Sequence, residues 1–174
     1  MRTVRRGDAD ESRLLAIYLR DHWAGSTAGL ALAARCRRNN AGTAYEATLA
    51  DVEREIGEDR EELRAIMSRL GVTPSRTKAA LGAVSEAFAR LKANGRIVTY
   101  SPSSRVVELE TLAAGVSTKG HLWRTLRVST PRGDVTSSET ELDELEQRTA
   151  NQLFRLMELH ERATAEAFGP ARTD

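Results

Sequence analysis

The sequence predicts an all-α protein, a single domain over residues 1–174 that is built as a bundle of four long helices. Strand signals are nearly absent, because β-branched residues rarely alternate with polar ones and no Asn-Gly or Asp-Gly dipeptide lies between two apolar runs. Helix signals recur along the chain, since apolar residues repeat at spacings of three and four. The low aromatic content of 5% favours closely packed helices made of Leu, Ala, Val and Ile.

The first two predicted helices form an antiparallel pair. The first begins near residues 8–10, where aspartates can accept hydrogen bonds from free backbone N–H groups, and it runs to about Arg38. The second begins at Thr43-Ala44-Tyr45-Glu46, which has the spacing of a capping box. It ends at Gly71, which can adopt the left-handed conformation that closes a helix. The short turn between the two helices requires them to run in opposite directions.

Three further helices follow in the predicted order. Thr73-Pro74 starts a shorter helix, with the hydroxyl as cap and proline at the first position, and Asn94-Gly95 ends it. The next helix runs from about Ser103 to Val128. The last begins at a second capping box, Ser138-Glu139-Thr140-Glu141, and ends at Gly169-Pro170.

The long connection in the middle of the chain decides the predicted topology. It runs from Gly71 to Ser103 and could span about 40 Å, since a helix rises about 1.5 Å per residue. It would carry the shorter helix and join two antiparallel hairpins, which is the arrangement of ferritin-like bundles. Residues 1–7 and 170–174 are expected to be flexible tails.

Two sequence runs carry a resemblance to a known group. The runs Asp21–Gly29 and Arg105–Glu110, together with the order of the helices, resemble uncharacterised bacterial proteins of the ferritin-like superfamily. The resemblance extends over about residues 11–168. It implies the fold and does not imply any particular activity, because fold alone does not determine function.

Composition limits the partners and the location. Acidic and basic residues nearly cancel, 25 against 26, which argues against a nucleic-acid partner. No run reaches the roughly 18 apolar residues of a membrane span. The N-terminus is basic but is followed by acidic residues rather than by the apolar run of a signal peptide. The single cysteine, Cys36, excludes an internal disulfide. We therefore expect a cytoplasmic protein.

A ferritin-like bundle raises the question of a di-iron or di-manganese centre. The usual ligands are one Glu from each of two helices and a Glu-x-x-His motif from each of the other two. The residues three positions before the three histidines are Leu19, Thr118 and Met157, none of which can act as such a ligand. A standard centre is therefore not expected.

A looser group of residues leaves two interpretations open. His22, Glu55, Asp59 and Glu110 could form a non-standard site for Fe, Mn or Zn. The same residues could form a buried polar network with Arg60 as counter-ion. We favour the network and expect no cofactor, because a buried histidine near carboxylates is most often held by hydrogen bonds.

Two glycines on the buried side of the first predicted helix lower its stability. Gly25 and Gly29 each lower helix stability by about 1 kcal/mol relative to alanine. We expect the close approach of another helix backbone to compensate, in preference to a cleft for a ligand.

Three classes of function remain after these exclusions. The favoured one is a structural or interaction module that acts as a dimer, which rests on the missing metal motif and on apolar residues that fall off the buried stripes, namely Ile17, Trp23, Leu30 and Phe88. The second is a metal-dependent redox or hydrolytic enzyme that uses the His22 group. The third is a carrier of a small ligand or lipid, with a pocket between the helices.

Overall fold

A computed structural model describes residues 6–74, 100–129 and 138–170. Four helices make up nearly all of this part, namely α1 (Arg6–Asn39), α2 (Glu46–Arg69), α3 (Pro102–Ser129) and α4 (Glu139–Phe168), and it contains no strand. The prediction of an all-α protein with four long helices is confirmed. The predicted shorter helix and most of both predicted tails lie outside the described residues. None of the described helices combines the length and apolar content needed to cross a bilayer.

Two apolar clusters, one towards each end of the bundle, show how the helices run. The Cys36 cluster joins the C-terminal halves of α1 and α4 to the N-terminal halves of α2 and α3. The Trp123 cluster joins the other four halves. Consequently α1 is antiparallel to α2, α3 is antiparallel to α4, and α2 and α3 run in the same direction. Buried leucines anchor both clusters, among them Leu49, Leu109 and Leu156 in the first and Leu19, Leu63 and Leu145 in the second.

The order of the helices around the bundle follows from their contacts. α1 packs beside α2 and α3, whereas α4 packs beside α3 and α2, so α2 and α3 lie diagonally opposite each other. Thr73, just after α2, accepts a hydrogen bond of 3.2 Å from Arg20 near the Trp123 cluster. Tyr100, just before α3, contacts Asn40 at 3.0 Å near the Cys36 cluster. The chain therefore leaves α2 and enters α3 at opposite ends of the bundle.

The turn between α1 and α2 differs from the predicted capping box. α2 begins at Glu46, preceded by Tyr45, and no side chain caps it. The Thr43 hydroxyl donates to the Asn40 carbonyl at 2.7 Å, and the Glu46 carboxylate accepts from Gly42 N at 2.7 Å. The predicted box was wrong because the helix starts late. Glu46 is its first residue and not its third, so the reciprocal pair of cap hydrogen bonds cannot form.

The start of α4 does follow the predicted pattern. Ser138 Oγ accepts from Glu141 N at 3.0 Å, and the Glu141 carboxylate accepts from Ser138 N at 3.3 Å. This reciprocal arrangement is the capping box predicted for these residues. A side-chain cap of this kind contributes about 1 kcal/mol to helix stability, because it satisfies N–H groups that have no partner inside the helix.

Candidate functional site

A half-open groove lies at mid-height in the bundle, between α1 and α3, with α2 behind it. Its volume is about 390 Å³. This volume falls near the lower end of the range of about 300–1,000 Å³ that is typical of small-molecule sites. Apolar side chains from all three helices form most of its lining, among them Leu32, Ile56, Leu63, Leu112, Val116 and Trp123.

Three glycines are among the lining residues of the groove, Gly25 and Gly29 on α1 and Gly115 on α3. A Cβ atom added at any of them would meet no neighbouring atom within 4 Å. The expectation that Gly25 and Gly29 admit another helix backbone is therefore wrong. The missing side chains leave open space instead, and all three glycines line the groove, which favours a cleft, the alternative that the sequence made less favoured.

A buried carboxylate of the groove binds polar side chains from two other helices. Asp59 on α2 is 1% exposed. It accepts hydrogen bonds from Lys119 of α3, from Arg148 of α4 at 3.0 Å and from Gln152 of α4 at 3.0 Å. Lys119 also donates to the side-chain oxygen of Gln152. These four residues, here called the Asp59 cluster, connect three helices and satisfy one another.

Lys119 is the member of the Asp59 cluster with the most unusual environment. Its side chain lines the groove and is 16% exposed. Burial lowers the pKa of Lys119, and attraction by the Asp59 carboxylate acts in the opposite direction. The groove therefore contains an ammonium group that holds its proton less firmly than a lysine in water.

His22 lies on the α1 wall of the same groove. Its ring centroid is 4.5 Å from that of Tyr18, with the two rings tilted by 57°. Burial lowers the pKa of His22, while the carboxylate of Asp21 acts to raise it. Because desolvation dominates, the neutral imidazole is favoured at neutral pH, and a neutral imidazole can both donate and accept a hydrogen bond.

Arg60 adds a second cation to the groove. Its guanidinium carbon lies 4.0 Å from the centre of the Trp23 ring, which is a cation–π contact. Its Nη2 contacts Thr27 Oγ1 at 3.5 Å, and its Nη1 lies 3.5 Å from a carboxylate oxygen of Glu61. Its Nε is buried and has no hydrogen-bond partner. Arg60 is thus held by stacking rather than by a close ion pair.

Two of the four candidate metal ligands lie away from the groove. Glu55 pairs with Arg155 of α4 at 2.5 Å. Glu110 is 56% exposed and pairs with His160 of α4 at 3.0 Å. Each carboxylate therefore has a cationic or imidazole partner on the neighbouring helix.

The other two candidates, His22 on α1 and Asp59 on α2, both line the groove. The cations on Asp59 are Lys119 and Arg148, whereas Arg60, the counter-ion predicted from the sequence, stacks on Trp23. Within residues 6–74, 100–129 and 138–170, no group of three or more His, Cys, Asp or Glu side chains is arranged to hold a metal ion.

Sequence reasoning missed Lys119, although a signal was present. The buried residues Val116 and Trp123 of α3 are seven positions apart, and Lys119 falls between them at spacings of three and four. It is one of few lysines in a chain rich in arginine. A charged residue among the apolar residues of α3, with Asp59 and Gln152 in similar positions on α2 and α4, indicated a polar layer across the bundle.

A second polar group closes the far end of the bundle. Asn40, 1% exposed, donates to the Cys36 carbonyl at 2.8 Å and accepts from Arg105 at 2.7 Å. Arg105 also pairs with Glu166 at 2.8 Å. Burial, with a smaller contribution from Glu108, raises the pKa of Cys36 to about 12. The thiol therefore stays protonated and packs as an apolar group. We interpret the residues at this end of the bundle as structural.

Comparison with known proteins does not assign this chain to a family. No family model, curated protein or solved structure matches it. The resemblance to ferritin-like proteins therefore stays a prediction from the sequence. Any assignment of function rests on the geometry of the groove and the residues that line it.

Proposed function

We propose that this protein binds a small, largely apolar organic molecule in the groove between α1 and α3. The observation that carries the proposal is the open space beside Gly25, Gly29 and Gly115, which line the groove from α1 and α3. Gly29 is half-buried, whereas Gly25 and Gly115 are exposed. Protein interiors are closely packed, and unfilled space between helices forfeits attractive contacts. The three glycines lower helix stability and make no packing contacts in return. A ligand that fills the space would supply those contacts and explain why glycine is present.

The chemical character of the lining supports the same function. Small-molecule sites combine mainly apolar walls with a few polar groups that fix the ligand's orientation. Here the apolar walls surround Lys119, His22 and Arg60, which reach the groove from three different helices. The function that fits is that of a carrier or sensor of a small ligand, the third class predicted from the sequence.

A groove-filling variant tests this function with a matched control. Gly115→Leu places a side chain in open space, whereas Ala114→Leu adds a similar side chain at the adjacent exposed position of α3. We expect wild type and Ala114→Leu to bind the neutral naphthalene dye Prodan with equal affinity. We expect Gly115→Leu to bind it at least about tenfold more weakly, a loss of about 1.4 kcal/mol or more. Equal binding by both variants, or no binding by wild type, would contradict the proposal.

The metal-dependent enzyme has less support from the geometry. A metal ion on Asp59 would have to displace Lys119 and Arg148, both of which already donate to that carboxylate. Elemental analysis of protein purified without added metal tests this alternative directly. A full equivalent of Fe, Mn or Zn would favour it over the binding of an organic ligand.

The interaction role and the dimer remain predictions from the sequence. The surface that could support them includes Phe154 and Met157, which lie one turn apart on α4 and are 65% and 44% exposed. Ile17 is also exposed, Trp23 and Leu30 are half-buried, and Phe88 lies outside the described residues. Light scattering over a range of concentrations tests the dimer, and a monomer throughout would contradict it.

We also propose that the bundle is of the ferritin-like type. The support is the direction of the helices, with two antiparallel pairs and with α2 and α3 parallel, together with the position of Thr73 and Tyr100 at opposite ends. A chain with this order must return along the bundle between its two pairs, as in ferritin-like proteins. A structure in which α2 and α3 ran in opposite directions would contradict this assignment.

A further inference from the structure

We infer that the ligand of the groove is an organic anion, a monocarboxylate with an apolar tail whose carboxylate pairs with Arg60. This inference rests on the proposed function and specifies its ligand class. The starting observation is the environment of Arg60, a groove residue whose terminal nitrogens have only long contacts, with Thr27 Oγ1 and with a Glu61 carboxylate oxygen, both at 3.5 Å. A charged donor gains most from a short hydrogen bond to a charged acceptor, so a ligand carboxylate would improve on these contacts.

Other arginines of the bundle show what Arg60 lacks. Arg37 and Arg155 each place a guanidinium nitrogen 2.5 Å from a carboxylate oxygen, and Arg69 does so at 2.6 Å. The nearest carboxylate recorded for Arg60 is that of Glu61, at 3.5 Å, and the Glu61 side chain is 55% exposed. Arg60 is therefore a partly buried cation that has room for a closer anionic partner.

The acidic residues around the groove do not supply that partner. Asp59 already accepts hydrogen bonds from Lys119, Arg148 and Gln152. Asp21 also lines the groove but is exposed to solvent. The groove thus presents Arg60 and Lys119 as cations against Asp59, which is already engaged, and Asp21, whose charge is screened by solvent. This balance favours an anion over a neutral or cationic ligand.

A carboxylate suits Arg60 better than other polar groups do. The planar guanidinium presents its N–H donors in a fork that matches the two oxygens of a carboxylate. Stacking on Trp23 holds the plane of that fork in place before the ligand arrives. An apolar tail can then occupy the space beside Leu112 and Val116, where the three glycines leave both walls open.

Three eight-carbon probes with different head groups test the charge preference. Calorimetry of the wild-type protein with octanoate, octan-1-ol and octylamine, at pH 7.5, compares an anion, a neutral molecule and a cation with the same tail. We expect octanoate to bind about 10- to 100-fold more tightly than octan-1-ol, as is typical of a hydrogen bond to a charged group. Octylamine should bind most weakly.

A pair of arginine variants assigns the preference to a residue. Arg60→Gln should lose the preference for octanoate and keep the affinity for octan-1-ol within about twofold, because the apolar lining is unchanged. Arg64→Gln is the matched control, since Arg64 lies one turn along α2 and contacts the same Glu61 at 2.8 Å but is 64% exposed. It should retain the preference. Circular dichroism checks that both variants fold.

The outcomes separate this inference from the function on which it rests. Equal binding of octanoate and octan-1-ol by wild type, tighter binding of octylamine, or an unchanged preference in Arg60→Gln would overturn the inference. If octan-1-ol still binds and Gly115→Leu blocks it, the proposed function stands without an anionic ligand. If none of the probes binds to wild type, both fail.

Discussion

Lys119 of α3 and Asp59 of α2 form an ion pair across the inside of the bundle, between two helices that lie diagonally opposite each other. The pair brings a charged layer to a groove whose lining is mostly apolar. Buried ion pairs often contribute little net stability, because removing both charges from water offsets their attraction. The main effect of the pair is therefore to place charged side chains beside the groove, and its contribution to stability is small.

The Asp59 cluster should behave as one energetic unit. Asp59→Leu should lower the free energy of unfolding by about 3–5 kcal/mol, because it leaves Lys119 and Arg148 without their counter-ion. Lys119→Met should lower it by only about 1–3 kcal/mol, because Arg148 and Gln152 still donate to Asp59. Urea denaturation of both variants and the double variant measures the coupling. The double variant should lose less than the sum, and strict additivity would show that the pair is not coupled.

The groove glycines should be stabilising sites for substitution. Gly29→Ala and Gly115→Ala should each raise the free energy of unfolding by about 0.5–1 kcal/mol, since the new methyl group meets no neighbour and alanine favours the helix. Gly71→Ala is the contrasting control. Gly71 has a φ of +67°, so alanine there should lower stability by about 1–2 kcal/mol. Destabilisation by Gly115→Ala would show that another helix approaches closely at that position.

The environment of His22 predicts a pH dependence of stability. Burial lowers the pKa of His22 in the folded state, so the unfolded chain, with an ordinary histidine pKa of about 6.5, binds the proton more readily. The stability contributed by the neutral imidazole is therefore present above that value and is lost as pH falls through 6.5 towards the lowered pKa. Denaturation at pH 7.5 and pH 5.5 should show a smaller loss in His22→Gln than in wild type. An equal loss in both would contradict this account.

Cys36 should be chemically inert in the folded protein. Burial raises its pKa to about 12, and the side chain is 1% exposed, so neither thiolate nor access is available at pH 8. A thiol reagent such as 5,5′-dithiobis(2-nitrobenzoic acid) should react with the native protein only on the time scale of unfolding, and rapidly in urea. Stoichiometric reaction of the native protein within a minute would place the thiol at the surface.

The helices could be predicted closely from local signals. The predicted end of the first helix, Arg38, and the predicted span Ser103–Val128 lie within one residue of the observed bounds of α1 and α3. Apolar spacing and capping residues act over one or two turns, so they are visible in the sequence. The start of α2 was misjudged, because Thr43 and Glu46 have capping-box spacing but bond to the preceding turn instead.

The groove could not be predicted in the same way. A glycine on the buried side of a helix permits either close contact or open space, and both place it at the same position in the apolar repeat. The choice depends on the distance between α1 and α3, which the sequence of neither helix encodes alone. Lys119 was overlooked for a related reason. Its partner Asp59 lies on α2, which is not joined to α3 by a short turn, so the local sequence does not show that the two side chains meet.

The most direct test of ligand binding in the groove is a titration of the ¹⁵N-labelled protein with octan-1-ol, followed by two-dimensional NMR. We predict saturable shifts of the amide signals of Gly25, Gly29 and Gly115 and of the indole N–H of Trp123, which lines the groove. Non-saturable shifts, or shifts confined to the outer face of α4 around Phe154, would contradict the account.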